Sequence, residues 1–372
     1  MNPFLINTYL EPDYFCDREI ETKTLISTIH NQGNTAFFAQ RRLGKTALIQ
    51  HTFYLLRKKK AVCIYLDIYA TLNLKELTNQ LANAIYKEFP VTKSIGKRFM
   101  EAIKVLRPVI SIDELSGAPE LTLDITQTKQ YEKTIPQLLQ FLDEQNIKVV
   151  IAIDEFQQIL SYPEKNVEAI LRTAIQQLKN VNFIFCGSNQ HLMHQIFRSG
   201  KSPFYASTKN INLQKIDPTL YGNFIKKHFE QHKFKINQDS IDLILDLTHG
   251  HTYYTQLLCH EIFASGIKVV NTQTILLALG IILIDNQGTY FQYRNLLTAG
   301  QWNLLKAIAK EEKISHPYAQ DFIYKYRLGN AASVKRSIES LLEKEMVFHN
   351  ISEAMPYYEV YDKFLMRWLQ RT

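Results

Sequence analysis

Residues 39–46 read Ala39-Gln40-Arg41-Arg42-Leu43-Gly44-Lys45-Thr46, one substitution away from a complete phosphate-binding loop. An apolar run, Thr35 to Ala39, leads into them, and an amphipathic stretch, Ala47 to Leu56, leads out. That context is strand, tight loop, helix N-terminus. A nucleoside triphosphate needs many donors converging on its β and γ phosphates; such a turn supplies backbone N–H groups and the positive end of a helix dipole. In this reading Lys45 neutralises phosphate oxygens, the Thr46 hydroxyl ligates magnesium and Gly44 admits close approach of the backbone. Ala39 stands where the pattern has its first glycine, a small change that matters if the position needs a positive φ. The alternative is a chance R-L-G-K-T before an ordinary helix.

Downstream, residues 149–155 read V-V-I-A-I-D-E, an apolar strand ending in two carboxylates. A parallel sheet presents such residues to a nucleotide at its carboxyl edge, with Asp154 in the magnesium shell and Glu155 polarising the attacking water. The competing role for Asp154 is to cap the next helix. A further strand, N-F-I-F-C, ends in Gly187-Ser188-Asn189. If it lies between the two motif-bearing strands, Ser188 or Asn189 stands beside the γ-phosphate; otherwise Ser188 caps the following helix. Arg198, after that helix, reads either as an arginine finger entering a neighbouring subunit's site or as a solvated side chain. Arg41 and Arg42 are alternatives within the loop.

Working outward, short apolar runs alternate with amphipathic stretches from Thr35 to Ile211, predicting an α/β fold with a mainly parallel sheet covered by helices. The expected strands are Thr35 to Ala39, Ala61 to Asp67, Lys148 to Ile153, Val181 to Cys186 and Ile211 to Leu213. P-V-I-S-I-D-E and L-T-L-D-I, joined around Gly117 and Pro119, predict a hairpin inserted at about residues 108–126. After Asp217 the pattern turns helical, with Tyr221 to Gln231, Ser240 to Thr248 and Tyr253 to Ala264. Helices at Ala299 to Glu311, Ala319 to Tyr326 and Ala331 to Glu345, followed by M-V-F-H-N and Y-Y-E-V-Y, predict a winged helix. The expected division is therefore 1–214, 215–290 and 291–372.

The chain has 372 residues, 46% of them hydrophobic, enough for two or three cores. Its +7 charge comes from 43 basic against 36 acidic residues, which permits nucleic-acid or acidic-partner contact without demanding either. Neither a signal peptide nor a membrane anchor is expected: the longest apolar run, Ile275 to Ile284, is too short to span a bilayer. Cys16, Cys63, Cys186 and Cys259 are widely spaced in mostly apolar segments, as suits reduced thiols in a cytoplasm.

Taken together, N-P-F with Y-F-C-D-R-E near the start, R-R-L-G-K-T, I-D-E-F-Q, F-C-G-S, P-F-Y, G-H-T-Y-Y-T-Q-L-L and the final Y-E-V-Y-D-K-F-L-M-R-W-L resemble the AAA+ superfamily. Within it the likeness is to archaeal-type ATPases related to STAND signalling ATPases and origin-recognition-like initiators, over almost the whole chain. The resemblance implies an AAA+ core, a helical lid and a C-terminal winged helix, with ATP and magnesium held between core and lid. It implies slow ATP hydrolysis by a molecular switch that assembles as a homo-oligomer when ATP-bound. Phe15 to Glu19 match the family's N-terminal element that approaches adenine, with Asp17 at its common glycine. Gly250 and Thr252 match the lid's G-x-P element, Thr252 standing for proline. A non-catalytic nucleotide-sensing regulator, or an interaction scaffold in a defence assembly, is the other class of reading.

The winged unit offers Asn330 as a cap and Ser333, Lys335 and Arg336 in the first turns of a helix placed to meet double-stranded DNA. Residues 291–372 hold twelve Lys or Arg against nine Asp or Glu, so a protein partner is also admitted. His228 and His232 have i, i+4 spacing, and His249, His251, Cys259 and His260 cluster in sequence. The first set lacks the glutamate placement of a metalloprotease, and the resemblance implies that most of the second are lid residues.

Overall fold

The computed structural model describes residues 1–6, 9–90, 94–114, 117–124, 128–351 and 355–371. The chain divides into two compact units, Tyr9–Gln214 and Met1–Thr8 with Lys215–Thr372.

The first unit runs α1 (Glu19–His30), β1 (Thr35–Phe38), α2 (Lys45–Lys58), β2 (Val62–Asp67), α3 (Leu74–Glu88), α4 (Ser94–Ala102), β3 (Pro108–Ile112), β4 (Pro119–Leu123), α5 (Thr128–Asp143), β5 (Val149–Asp154), α6 (Val167–Gln176), β6 (Val181–Gly187), α7 (Gln190–Arg198) and β7 (Lys209–Asn212). Five strands form one parallel sheet in the order β2-β5-β6-β1-β7. Because β1, β5 and β6 are buried on both faces, they read in sequence as continuous apolar runs rather than alternating ones. One face packs Leu66, Leu81, Leu139, Ile151 and Phe183 beneath α3, α5 and α6; the other packs Phe37, Cys63, Val150 and Ile184 against Leu48, Ile49 and Phe53 of α2.

β6 does lie between β5 and β1, pairing Phe38 with Gly187 and Ile153 with Phe185. This register brings the ends of all three strands side by side at one carboxyl edge. β3 and β4 form the expected antiparallel hairpin. Residues 115–116 at its turn and 125–126 at its expected end lie outside the described residues. β4 is anchored to α3, where Asn83 Oδ1 and Asn79 Oδ1 accept from the Leu121 and Leu123 N–H groups at 3.1 Å.

The second unit contains α8 (Pro218–Gln231), β8 (Lys235–Ile236), α9 (Gln238–Leu247), α10 (Thr252–Ala264), β9 (Val269–Val270), α11 (Thr272–Asp285), α12 (Gln287–Leu296), α13 (Ala299–Glu311), α14 (Gln320–Tyr326), α15 (Ala331–Glu343), β10 (Val347–Asn350), β11 (Tyr357–Val360) and α16 (Lys363–Arg371). β10 and β11 are antiparallel, so three helices precede a wing-like hairpin. Residues 1–8 group here, not with the α/β unit to which the sequence reading assigned them. The reason is packing: Phe4 is 1% exposed, its ring 4.7 Å from Phe229, and Asn2 donates to the His260 carbonyl at 3.0 Å.

A buried ionic cluster ties the α9–α10 turn to β11 and α16. Lys363 Nζ lies 2.8 Å from Glu359 Oε2 with both side chains 1% exposed, and His249 bridges Glu359 (3.4 Å) and Glu312 (3.0 Å). Arg367 pairs with Glu312 and donates to the carbonyls of Leu247 and Asp246. Burial pushes the Glu359 carboxyl up, but Lys363, His249 and Lys215 outweigh it and hold the group well below the usual carboxylate range. Among the described residues no single helix is long and apolar enough to cross a membrane.

Candidate functional site

α2 begins at Lys45 with Gly44 as its N-cap, at φ +92° and without a side-chain cap. Its first-turn N–H groups therefore have no intrahelical acceptor. Arg42 also takes a left-handed backbone (φ +62°), whereas Ala39 does not, so the alanine at the first glycine position is unstrained as well as fully buried. Leu43 and Gln40 are buried, Arg42 and Thr46 exposed, and Arg41, Gly44 and Ala47 intermediate. Lys45 is 7% exposed and makes no hydrogen bond or ion pair with any described residue.

The loop meets the end of β5 through its hydroxyl. Thr46 Oγ1 donates to Asp154 Oδ2 at 3.3 Å, and the Tyr65 phenol, from β2, donates to the same oxygen at 2.6 Å. Asp154 Oδ1 accepts from the Glu155 N–H at 3.0 Å, so the carboxylate is spent on its own turn and on the loop rather than on capping a helix. These are hard oxygen donors of the kind magnesium takes, with most of its shell left to phosphate and water. No group of three or more His, Cys, Asp or Glu among the described residues makes an all-protein metal cage. That includes the described histidines: His228 is buried against Phe4 and Phe224, and His232 Nδ1 lies 2.8 Å from the His228 carbonyl.

Glu155 is held at φ +53°, a conformation costing a non-glycine residue about 1 kcal/mol. Phe156 offsets that cost. Its fully buried ring lies 4.6 Å from Phe185, 5.7 Å from Phe197 and 5.5 Å from Phe204, contacts worth about 0.5–1.5 kcal/mol each beyond burial. Glu155 is thereby turned toward β6. Its Oε2 accepts from Ser188 Oγ (2.8 Å), Ser188 N (3.2 Å) and Gln157 Nε2 (2.5 Å), while no described residue donates to Oε1. The cap of α7 is Asn189, whose side chain accepts from the Leu192 N–H at 3.1 Å, and not Ser188. Ser188 is thus free of capping and committed to Glu155.

Arg198 is exposed at the end of α7. Its guanidinium stands 4.7 Å from the Phe38 ring and donates to Asn212 Oδ1 at 3.2 Å, so it is engaged within its own chain. Phe15 stacks on His51 of α2 at 4.3 Å, with Tyr9 edge-on. Asp17 and Arg18 both have left-handed backbones, which accounts for the glycine common in the matching motif. Arg18, 4% exposed, donates to the Leu43 carbonyl at 3.4 Å and so braces the loop from behind. Gly250 (φ +60°) ends α9, and Thr252 opens α10 with its carbonyl accepting from Tyr221; both belong to the second unit.

Sequence reasoning did not single out Tyr65, Gln157 or Arg18. Tyr65 carries a weak signal: a residue with a polar tip, two before Asp67, on the strand beside the Asp154 strand.

A winged helix domain family matches residues 288–371, and the family described as ATPase domains predominantly from Archaea matches residues 15–258. No curated protein matches the chain. Among solved structures, a Walker-type ATPase of Pyrococcus abyssi has 17% identity and TM-score 0.67, with 100% of each chain covered. The Aeropyrum pernix ORC2 protein, solved with ADPNP and ADP, has 14% identity and TM-score 0.62, covering 100% of this chain and 96% of its own. The Aeropyrum pernix ORC1 protein, solved with DNA, has 13% identity and TM-score 0.52, covering 96% and 93%. At such identities the likeness is one of fold, an AAA+ core with a C-terminal winged helix, and the family match adds an ATP-binding function. With matching sequence running through both the Lys45 loop and the Asp154 strand, the chain belongs to the family of ATPase domains found predominantly in Archaea.

Proposed function

We propose that the chain is a slow ATP-hydrolysing switch in which Lys45, Thr46, Asp154 and Glu155 form the working site. The observation that carries this is Lys45, a buried cation at a helix N-terminus with no anion among the described residues. Burying an unpaired charge is costly, and the cost is recovered when a polyphosphate arrives. Lys45 and the first-turn N–H groups of α2 bind phosphate oxygens, with Gln40 to Leu43 wrapping them. Thr46 and Asp154 would hold magnesium, which supplies charge neutralisation on the transferred phosphoryl group. Ser188 and Gln157 fix one oxygen of Glu155, leaving Oε1 to accept a proton from water.

Phe15 with His51 offers a flat surface for the adenine. Asn189 holds the start of α7, and Arg198 at its end stabilises the γ-phosphate. Its place on Phe38, next to Ala39, favours action on its own chain's site over a neighbouring subunit's. Residues 215–290 serve as the lid and 291–372 as the effector, in a homo-oligomer formed with ATP. The four buried, unpaired cysteines fit a cytoplasmic setting.

Double-stranded DNA is the favoured partner, on one observation. Asn330 caps α15 through the Ser333 N–H (2.9 Å), and Lys335 and Arg336 in its first turns are exposed, with no partner among the described residues. Phosphate release should be measured with and without duplex DNA for wild type and Glu155→Gln, alongside fluorescent-ATP titration of Lys45→Ala. Release from wild type only, with binding lost in Lys45→Ala, is expected. Equal, negligible release from both would leave a nucleotide sensor, and retained affinity in Lys45→Ala would remove the loop from the mechanism. Stimulation by a protein extract but not by duplex would replace DNA with a protein partner.

A further inference from the structure

We propose that Tyr65 is a positioning residue that holds Asp154 in the orientation through which bound nucleotide responds to magnesium. This rests on the reading of Thr46 and Asp154 given above. Asp154 is 6% exposed, and its Oδ2 is the one oxygen in the site that receives two side-chain hydroxyls, from Tyr65 at 2.6 Å and Thr46 at 3.3 Å. A Thr46 hydroxyl that turns a lone pair to a cation can still donate its hydrogen, but its bond to Asp154 is the longer of the two and would follow the cation, whereas the Tyr65 bond is anchored in β2. Tyr65 thus makes the shorter of the two hydroxyl bonds that restrain the carboxylate, beside the Glu155 N–H on Oδ1.

The phenol suits that task. Its strand pairs with β5 in register, Tyr65 opposite Ala152 and Asp67 opposite Asp154, so the ring rises beside the carboxylate from a fixed backbone. The ring packs against the α2-side core, leaving the hydroxyl as its polar tip. Outer partners that orient a ligating carboxylate typically change metal affinity about 10–100-fold when removed.

The test is equilibrium titration of a fluorescent ATP analogue into the full chain, in magnesium and in EDTA, for wild type and Tyr65→Phe. Wild type should bind more tightly in magnesium. In Tyr65→Phe the affinity in EDTA should stay unchanged and the gain from magnesium should shrink about tenfold. An undiminished gain overturns the proposal, and so does an equal loss in both arms, which would make the phenol a packing group. On an Asp154→Asn background, Tyr65→Phe should change nothing further; an additional magnesium-specific loss there also overturns it. If wild type binds no nucleotide in either arm, the proposed function itself fails, an outcome distinct from the failure of the Tyr65 assignment.

Discussion

The two buried polar clusters of this chain are built on opposite plans. Around Glu359 charges meet their opposites: Lys363 meets Glu359 and Arg367 closes on Glu312 and two carbonyls, while the His249 ring lies between Glu359 and Glu312. Lys45 makes no ion pair with any described residue, and Asp154 is restrained by neutral hydroxyls. The first cluster pairs its charges, although Glu359 Oε1 is left without a hydrogen bond, and so supports structure; the second lacks a paired charge and so costs stability until a ligand supplies it.

This contrast can be broken most sharply at Glu359. Glu359→Gln strands Lys363 as a buried charge and should destabilise the second unit by about 3–5 kcal/mol. Both tryptophans, Trp302 and Trp368, lie in that unit, so tryptophan fluorescence in a denaturant titration reads it directly. ATP affinity of the α/β unit should persist; joint loss of both would erase the distinction drawn here. The same cluster predicts an acid limit. A carboxyl held below its unfolded value of about 4.3 contributes stability above that pH and loses it as pH falls toward the folded value. The fluorescence-detected midpoint should therefore drop below about pH 4.3, and Glu359→Gln should flatten that drop.

Gly187→Ala comes next. A Cβ there would stand 2.0 Å from Gln157 Oε1 and 2.8 Å from Met193 Sδ, so Gln157 must leave Glu155. Overpacking of this kind costs about 1–3 kcal/mol, and loss of one charge-assisted hydrogen bond should slow phosphate release about tenfold. Unchanged turnover would show that Gln157 does not position Glu155. The smallest effect carries the opposite sign. Lys45→Met removes an unpaired buried charge and should raise the thermal stability of the nucleotide-free protein by about 1 kcal/mol while abolishing ATP binding. A loss of stability would mean that Lys45 is structural after all.

What the sequence disclosed and what it concealed follow the same division. β1, β5 and β6 were legible because strands buried on both faces are mostly apolar, with Thr35, Asp154 and Asn182 as the buried exceptions, and the Lys45 loop because its residues are contiguous. Tyr65 and Asp154 are 89 residues apart, and no local pattern announces that one phenol is shared by the motif carboxylate. His249 reads as one of several lid histidines, although its partners Glu312 and Glu359 are 63 and 110 residues away. The capping role held open for Ser188 at α7 falls to Asn189, because either residue type serves and only the backbone decides. Asp17 departed from the family's glycine in letter but kept its left-handed backbone.

The place of Asn2 and Phe4 bears on how the chain is made. Asn2 is synthesised early, yet the carbonyl it binds, on His260, is added 258 residues later. Throughout that interval the whole α/β unit can emerge and fold, while Phe4 waits in water for Phe229 and Phe263. The second unit is therefore completed only after α8 and α10 have been translated, and a ribosome stalled within α8 holds an α/β unit whose preceding Asn2 and Phe4 still lack their partners.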